Sequence, residues 1–243
     1  LTIDPGAPTG AVPLTVDANG PEVANAAATI FFQVGVGGDP YADEVVSVTY
    51  GAAAGFGQSR LPGVVLGPPK GAGALRQGLD VLTLGDGGSI TLAFTDNRVV
   101  DGPGPDLAVF ENAFAQGGDP SVRFIELARV EVSANGVDFF EFPSSVNPAL
   151  PLGDPARYSG FAGVGCVDPL GEPVAPEAFA CGDGSGQLAG IGGDSFDLQD
   201  LGLSEARYVR VTDVGGDPAD SGDAFAGGFD LDAVAALHSA APN

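Results

Sequence analysis

The chain has 243 residues, 44% of them hydrophobic, and sets 9 Lys plus Arg against 32 Asp plus Glu for a formal net charge of -23. That length is enough to bury a core, and all-β folds of this size commonly form one main domain. A surface of this sign repels nucleic acid and anionic lipid, whose phosphates are held by Lys and Arg, and no run reaches the roughly 20 apolar residues of a membrane-spanning helix.

Residues 1–40 carry prolines at 5, 8, 13 and 21 and lack turn-spaced alternation until TIFFQVGV (29–36). They read as an arm with one or two strands, AVPLTV (11–16) being the other, appended to a main domain over 41–243. A lone strand must pair with something. The partner is expected in the same sheet or on the edge of a neighbouring molecule, where it would act as an assembly strand.

Beyond the arm, short β-prone runs follow one another: EVVSVTY (44–50), LDVLTL (79–84), SITLAFT (89–95), DLAVFEN (106–112), FIELARVEVS (124–133), VDFFEF (137–142), ARYVRVTDV (206–214) and FDLDAVAAL (229–237). The 39 glycines and 20 prolines punctuate them as turns. In SITLAFT, Ile90, Leu92 and Phe94 share one face while Ser89, Thr91, Ala93 and Thr95 share the other, which predicts one wet face. DLAVF is apolar on both faces and predicts a central strand. Asn135-Gly136 predicts a type I′ hairpin, and DLQDLGL (197–203) predicts one helical turn capped by Asp197. The expected fold is all-β, a two-sheet antiparallel β-sandwich of jelly-roll type.

Cys166 and Cys181 flank a Gly/Pro-rich stretch. A disulfide there would fasten a loop that packing cannot hold and would favour an oxidising, extracellular setting, while two buried thiols are the alternative. Neither has the spacing of a redox or zinc motif. No basic start or apolar leader opens the sequence, so export is an inference.

An excess of carboxylates attracts hard cations, and calcium takes six to eight oxygen ligands. Asp96, Asn97, Asp101 and Asp106 lie in or beside a Gly/Pro-rich loop, with Glu111 and Asn112 after the central strand. Asp230 and Asp232 alternate on one strand with Phe229 and Leu231, so both carboxylates share a face. Adjacent carboxylates raise each other's pKa unless a cation offsets them. These eight residues are the candidate calcium ligands; backbone capping at Asp230 and Asp232, and a merely solvated acidic surface, are the competing explanations. Asp194, Asp197 and Asp200 read as a helix cap, and Asp217, Asp220 and Asp223 as an acidic loop.

No catalytic motif is present, and the single His238 follows the last strand, where it reads as a bystander. A carboxylate pair could hydrolyse glycosides, yet the chain has no Trp and four Tyr to build a sugar platform.

The ordered phrases YADEVVSVTYG, VVLGPPKG, LGDGGSITLAFTDNRVVDGPGPDLAVFENAF, ARVEVSANGVDFFEFP, GGDSFDLQDLGL, ARYVRVTDV and GFDLDAVAAL span residues 41–237. This pattern resembles a family of secreted bacterial cell-surface proteins, many of which carry C-terminal sorting signals. The later portion is similar to discoidin or galactose-binding-like jelly rolls, in which calcium commonly stabilises the loops. The Pro-Glu-Pro motif, apolar anchor and basic tail of the sorted members are not found, so an anchor removed, or release or assembly instead, is expected. Together with the absence of catalytic motifs, the carboxylate-rich loops and the β-prone arm, the resemblance leads to the expectation of a non-enzymatic structural or adhesive protein of the cell exterior, calcium-stabilised and able to self-associate into filaments or layers through its N-terminal strand. A carbohydrate-binding module, with a surface glycan as partner, is the alternative.

Overall fold

The computed structural model describes residues 11–18, 26–33, 38–119, 121–169, 187–215 and 227–242. The chain is all-β and antiparallel throughout its sheets. Strands Ala11–Ala18 and Ala26–Gln33 pair with each other, from Ala11 opposite Gln33 to Ala18 opposite Ala26, as a two-stranded sheet. The partner of the apolar strand in the arm is thus the strand before it in sequence.

The largest sheet has five strands in the order Phe140–Glu141, Ala128–Ser133, Tyr208–Asp213, Ser89–Ala93 and Glu44–Thr49. A three-stranded sheet places Leu107–Phe110 between Asp194–Phe196 and Ala233–Ala236. The two share a core. Ile90, Leu92, Val130, Val132, Val209 and Val211 from the first meet Leu107, Val109, Phe196, Val234 and Ala236 from the second, in a cluster that also holds Phe229 and Leu231. The opposite face of the three-stranded sheet is covered as well: Ala108, Phe110, Ala233 and Ala235 pack with Val167 and Ile191. Leu107–Phe110 is therefore central and apolar on both faces, as its composition requires.

Alternation behaves differently on neighbouring strands. Tyr208–Asp213 alternates between buried and half-buried positions, but on Ser89–Ala93 the expected wet face is largely covered, Thr91 and Ala93 being buried. That strand is paired on both sides, and Thr91 lies opposite both Arg210 and Ser47, so neighbouring strands shield a face that sequence alternation assigns to water. The Asn135-Gly136 hairpin forms, with Val132 opposite Phe140, yet its loop runs from Ser133 to Phe139 and is not the expected two-residue type I′ turn. Gly136 takes a positive φ of 73°, whereas Asn135 keeps a negative φ. Instead Asn135 Oδ1 accepts the N–H groups of Val137 and Asp138, both at 2.9 Å, and Ser133 Oγ accepts that of Gly136, an Asx-type closure.

The helices among the described residues are short 3-10 turns. Leu198–Leu201 is the expected one, and Asp197 accepts the N–H of Gln199 as its cap. No helix among the described residues is long and apolar enough to cross a membrane. Cys166 is buried and no free cysteine is found among the described residues, while Cys181 lies outside them, as do Asp217, Asp220 and Asp223.

Candidate metal centre

Three carboxylates converge where the ends of both sheets meet. Glu111 is the first residue past the central strand; the carbonyl of Phe110 before it accepts the N–H of Asp232. That bond brings the strand Asp230–Leu231 alongside, and Asp230 pairs in register with Thr83. Glu126 enters from the segment leading into Ala128–Ser133. One carboxylate oxygen from each of Glu111, Glu126 and Asp230 lies within 4.8 Å of the others, and all three residues are at least 96% buried. Oxygens around a calcium ion at 2.3–2.6 Å can stand up to about 5 Å apart, so this spacing fits one coordination sphere.

The surroundings supply few hydrogens. Asp230 accepts from the hydroxyl of Thr83 and from Asn112 Nδ2 at 3.1 Å, with the Gln77 side chain as a further partner. Neither carboxylate oxygen of Glu111 makes a hydrogen bond of ordinary geometry, the Asn112 backbone N–H being the one donor near it, and Oδ1 of the buried Asn112 beside Asp230 has no partner either. Burial foremost, then the neighbouring charges of Glu126, Asp230 and Asp194, push the Glu111 carboxyl well above its ordinary range; the Asn112 backbone N–H only partly opposes this. Burial also raises Asp230, against the hydrogen bonds from Thr83, Asn112 and Gln77. Every charged side chain acting on Glu111 is acidic. Such a site must hold protons or a cation, because isolated buried charge is too costly to persist.

The frame around it is rigid. Asp194 accepts the N–H groups of Gly163, Val164 and Gly165 at 2.8–3.1 Å. Burial raises its carboxyl to about 6, with those N–H groups and Arg123 pulling it down. The clasped loop touches Glu126 closely: a Cβ at Gly163, whose φ is 94°, would stand 1.8 Å from the Glu126 carbonyl oxygen. Only glycine satisfies both the conformation and the approach.

The other sequence-predicted ligands lie elsewhere. Asp232 is buried and takes the Lys70 backbone N–H on both oxygens, at 3.0 and 2.9 Å. Burial lifts its carboxyl to about 7, the Lys70 N–H lowering it and Asp80 raising it. Asp106 is fully buried and accepts from Gly102 N at 2.8 Å, Leu198 N at 2.9 Å and the His238 ring at 2.9 Å. It also falls within ligand spacing of Asp101 and Asp197. His238 is thus no bystander: its strand-end backbone accepts from Val100 and its ring caps a buried acid. Asp96 is exposed beside Asp43, with burial and then Asp43 and Asp39 raising its carboxyl. Asn97 is buried and donates to the Asp39 carbonyl at 2.6 Å, its own Oδ1 lacking a donor.

Sequence reasoning reached Glu111, Asn112 and Asp230 but not Glu126. The available signal was a single acid between Ile125 and Leu127, both fully buried: an acid flanked by core residues has to face another polar group. Asp194, read as a helix cap, instead starts a strand and clasps a loop.

No protein-family model matches the chain, and neither a curated protein nor a solved structure is found to match it.

Proposed function

We propose that this protein is a non-enzymatic structural or adhesive component of the cell exterior, a jelly-roll β-sandwich stabilised by a calcium ion held by Glu111, Glu126 and Asp230, with Asn112 beside them. The observation that carries this reading is the Glu111 carboxylate, which makes no hydrogen bond of ordinary geometry and lies fully buried within ligand spacing of two further buried acids. A divalent ion supplies the missing positive charge, and its demand for six to eight oxygens suits three carboxylates with an amide oxygen at hand. The burial of all three acids leaves no cleft in which a sugar could lie between them, which favours a structural role over glycoside hydrolysis.

The extracellular setting rests on the resemblance to secreted surface proteins; a disulfide between Cys166 and Cys181 is part of the same proposal. Adhesion or self-association draws support from the hairpin end, where Val137 and Phe140 are 78% and 47% exposed beside the two-residue edge strand Phe140–Glu141. The N-terminal hairpin is the proposed assembly element, and removing residues 1–40 should leave a monomer. Sugar binding has weaker support, because Tyr158 is buried and donates its hydroxyl to the Leu152 carbonyl.

Thermal unfolding tests the cation. Free calcium at a hundred times its dissociation constant adds about 2.7 kcal/mol, which for a domain of this size raises Tm by roughly 5–10 °C over a chelator-treated sample. Identical melts in calcium and in excess chelator would overturn the proposal.

A further inference from the structure

The centre has a cover. Residues 71–78 leave the domain at Lys70 and return at Gly78, and the two ends nearly touch: a Cβ at Gly78 would stand 3.6 Å from the Gly71 Cα and 3.7 Å from the Asn112 Cβ. Such a closed neck defines an Ω-type loop. At one side of the neck the Lys70 N–H is held by both oxygens of Asp232; at the other the Gly78 carbonyl accepts from Asn112 Nδ2 at 3.2 Å. The Gln77 side chain reaches Asp230. Farther out, Gly73 N donates to the Val167 carbonyl at 2.9 Å and the Ala74 carbonyl accepts from Ala115 N at 2.6 Å. Gly71 is pressed so closely to Val167 that any Cβ would fall 2.5 Å from its side chain.

The cover therefore touches Asp230 and Asn112 directly; Arg76 and Gln77 are exposed residues, although the Gln77 side chain reaches in to Asp230. The three acids are almost wholly shut off from solvent, so an ion can enter only if a neighbouring segment moves, and this loop is a segment whose groups reach both Asp230 and Asn112. Its attachments are mainly polar, and its residues from Gly71 to Ala74 are small, which places it among the easily opened parts of a fold.

We infer that occupancy of the centre controls the 71–78 loop: a bound divalent cation locks it down, and loss of the cation releases it. This rests on the cation reading above. Without an ion, three crowded buried acids gain by admitting water, and admitting water means lifting the loop. With an ion, the cluster is neutralised and its partners Asn112 and Gln77 stay in place. Linkage makes the effect reciprocal, so weakening the loop's seat must weaken the ion's hold.

Trypsin reads the loop directly, because Arg76 lies within it. The full-length protein is digested in calcium chloride and in chelator, with rates normalised to a peptide substrate in the same reaction and with cleavage at Arg129, on the large sheet, as an internal reference. The expected result is at least a tenfold drop in cleavage after Arg76 when calcium is present, against a smaller change at Arg129. Asp232→Ala, which frees the Lys70 N–H, should restore rapid cleavage in calcium and weaken calcium binding by tenfold or more. Gln77→Ala, an exposed position where folding is not at stake, should do the same to a smaller extent. Calcium that raises Tm but leaves cleavage after Arg76 unchanged relative to Arg129 would overturn the loop inference and leave the cation reading standing. Calcium without effect on either Tm or cleavage would remove both.

Discussion

Asp106 and Glu111 lie a few residues apart at opposite ends of the same central strand, and both are fully buried, yet they solve burial in opposite ways. Asp106 is surrounded by donors: two backbone N–H groups and the ring of His238. Glu111 has only the Asn112 backbone N–H near it, makes no hydrogen bond of ordinary geometry, and is crowded by other acids. The contrast teaches that a buried carboxylate is not in itself a sign of a ligand. What matters is whether the fold has already supplied its hydrogens. Asp106 is structurally complete, and Glu111 is complete only with a cation or a proton.

The largest expected effect breaks the complete site. Asp106→Ala leaves the N–H groups of Gly102 and Leu198 and the ring of His238 without their acceptor, which should cost about 3–5 kcal/mol. The urea midpoint should fall equally with and without calcium. A loss that calcium rescues would mean that Asp106 belongs to a cation site after all.

Asp194 sharpens the comparison, because it has donors and is still raised to about 6. A carboxyl raised in the folded state binds its proton more tightly there than in the unfolded chain. Its contribution is therefore fully present below about pH 4 and is lost as pH rises through about 6. Moving from 3.8 to about 6 corresponds to roughly 3 kcal/mol. In chelator, the stability of the protein should decline over that window, and Asp194→Asn should flatten the decline. A slope unchanged by the substitution would show that other groups carry it.

Next comes Glu111→Gln, which removes one charge from the donor-poor cluster. In chelator the variant should be more stable than the parent, by about 1–3 kcal/mol; in calcium the order should reverse, since the variant has lost a ligand. Parallel shifts under both conditions would erase the distinction drawn between Glu111 and Asp106. The smallest effect belongs to His238→Ala. Its ring is one-third exposed and one donor among three, so about 1 kcal/mol is expected, without any change in the calcium response.

How much of this was legible in the sequence depends on how far apart the relevant residues lie. Local patterns carried the all-β class: the two-faced apolar run at Leu107–Phe110 became the central strand, and Asp197 became a cap. Alternation predicted a wet face on Ser89–Ala93 that neighbouring strands cover, because exposure is decided by strand order, which no local pattern encodes. The same holds for the centre. Glu111 and Asn112 could be suspected from their place after a core strand and Asp230 from its alternation, but their meeting with Glu126 depends on the pairing of Asp230 with Thr83 and on the clasp at Asp194. His238 looked isolated because its partner, Asp106, is distant in sequence and is brought near by the pairing of the last strand, Ser239–Ala240, with Arg98–Val100.

The central claim is that Glu111, Glu126 and Asp230 hold one divalent ion, and equilibrium dialysis against radiolabelled calcium tests it most directly. The account predicts one tightly retained ion for each chain of the parent protein and its loss in Glu111→Gln. A parent that retains no calcium, or a Glu111→Gln variant that retains it as tightly as the parent, would contradict it.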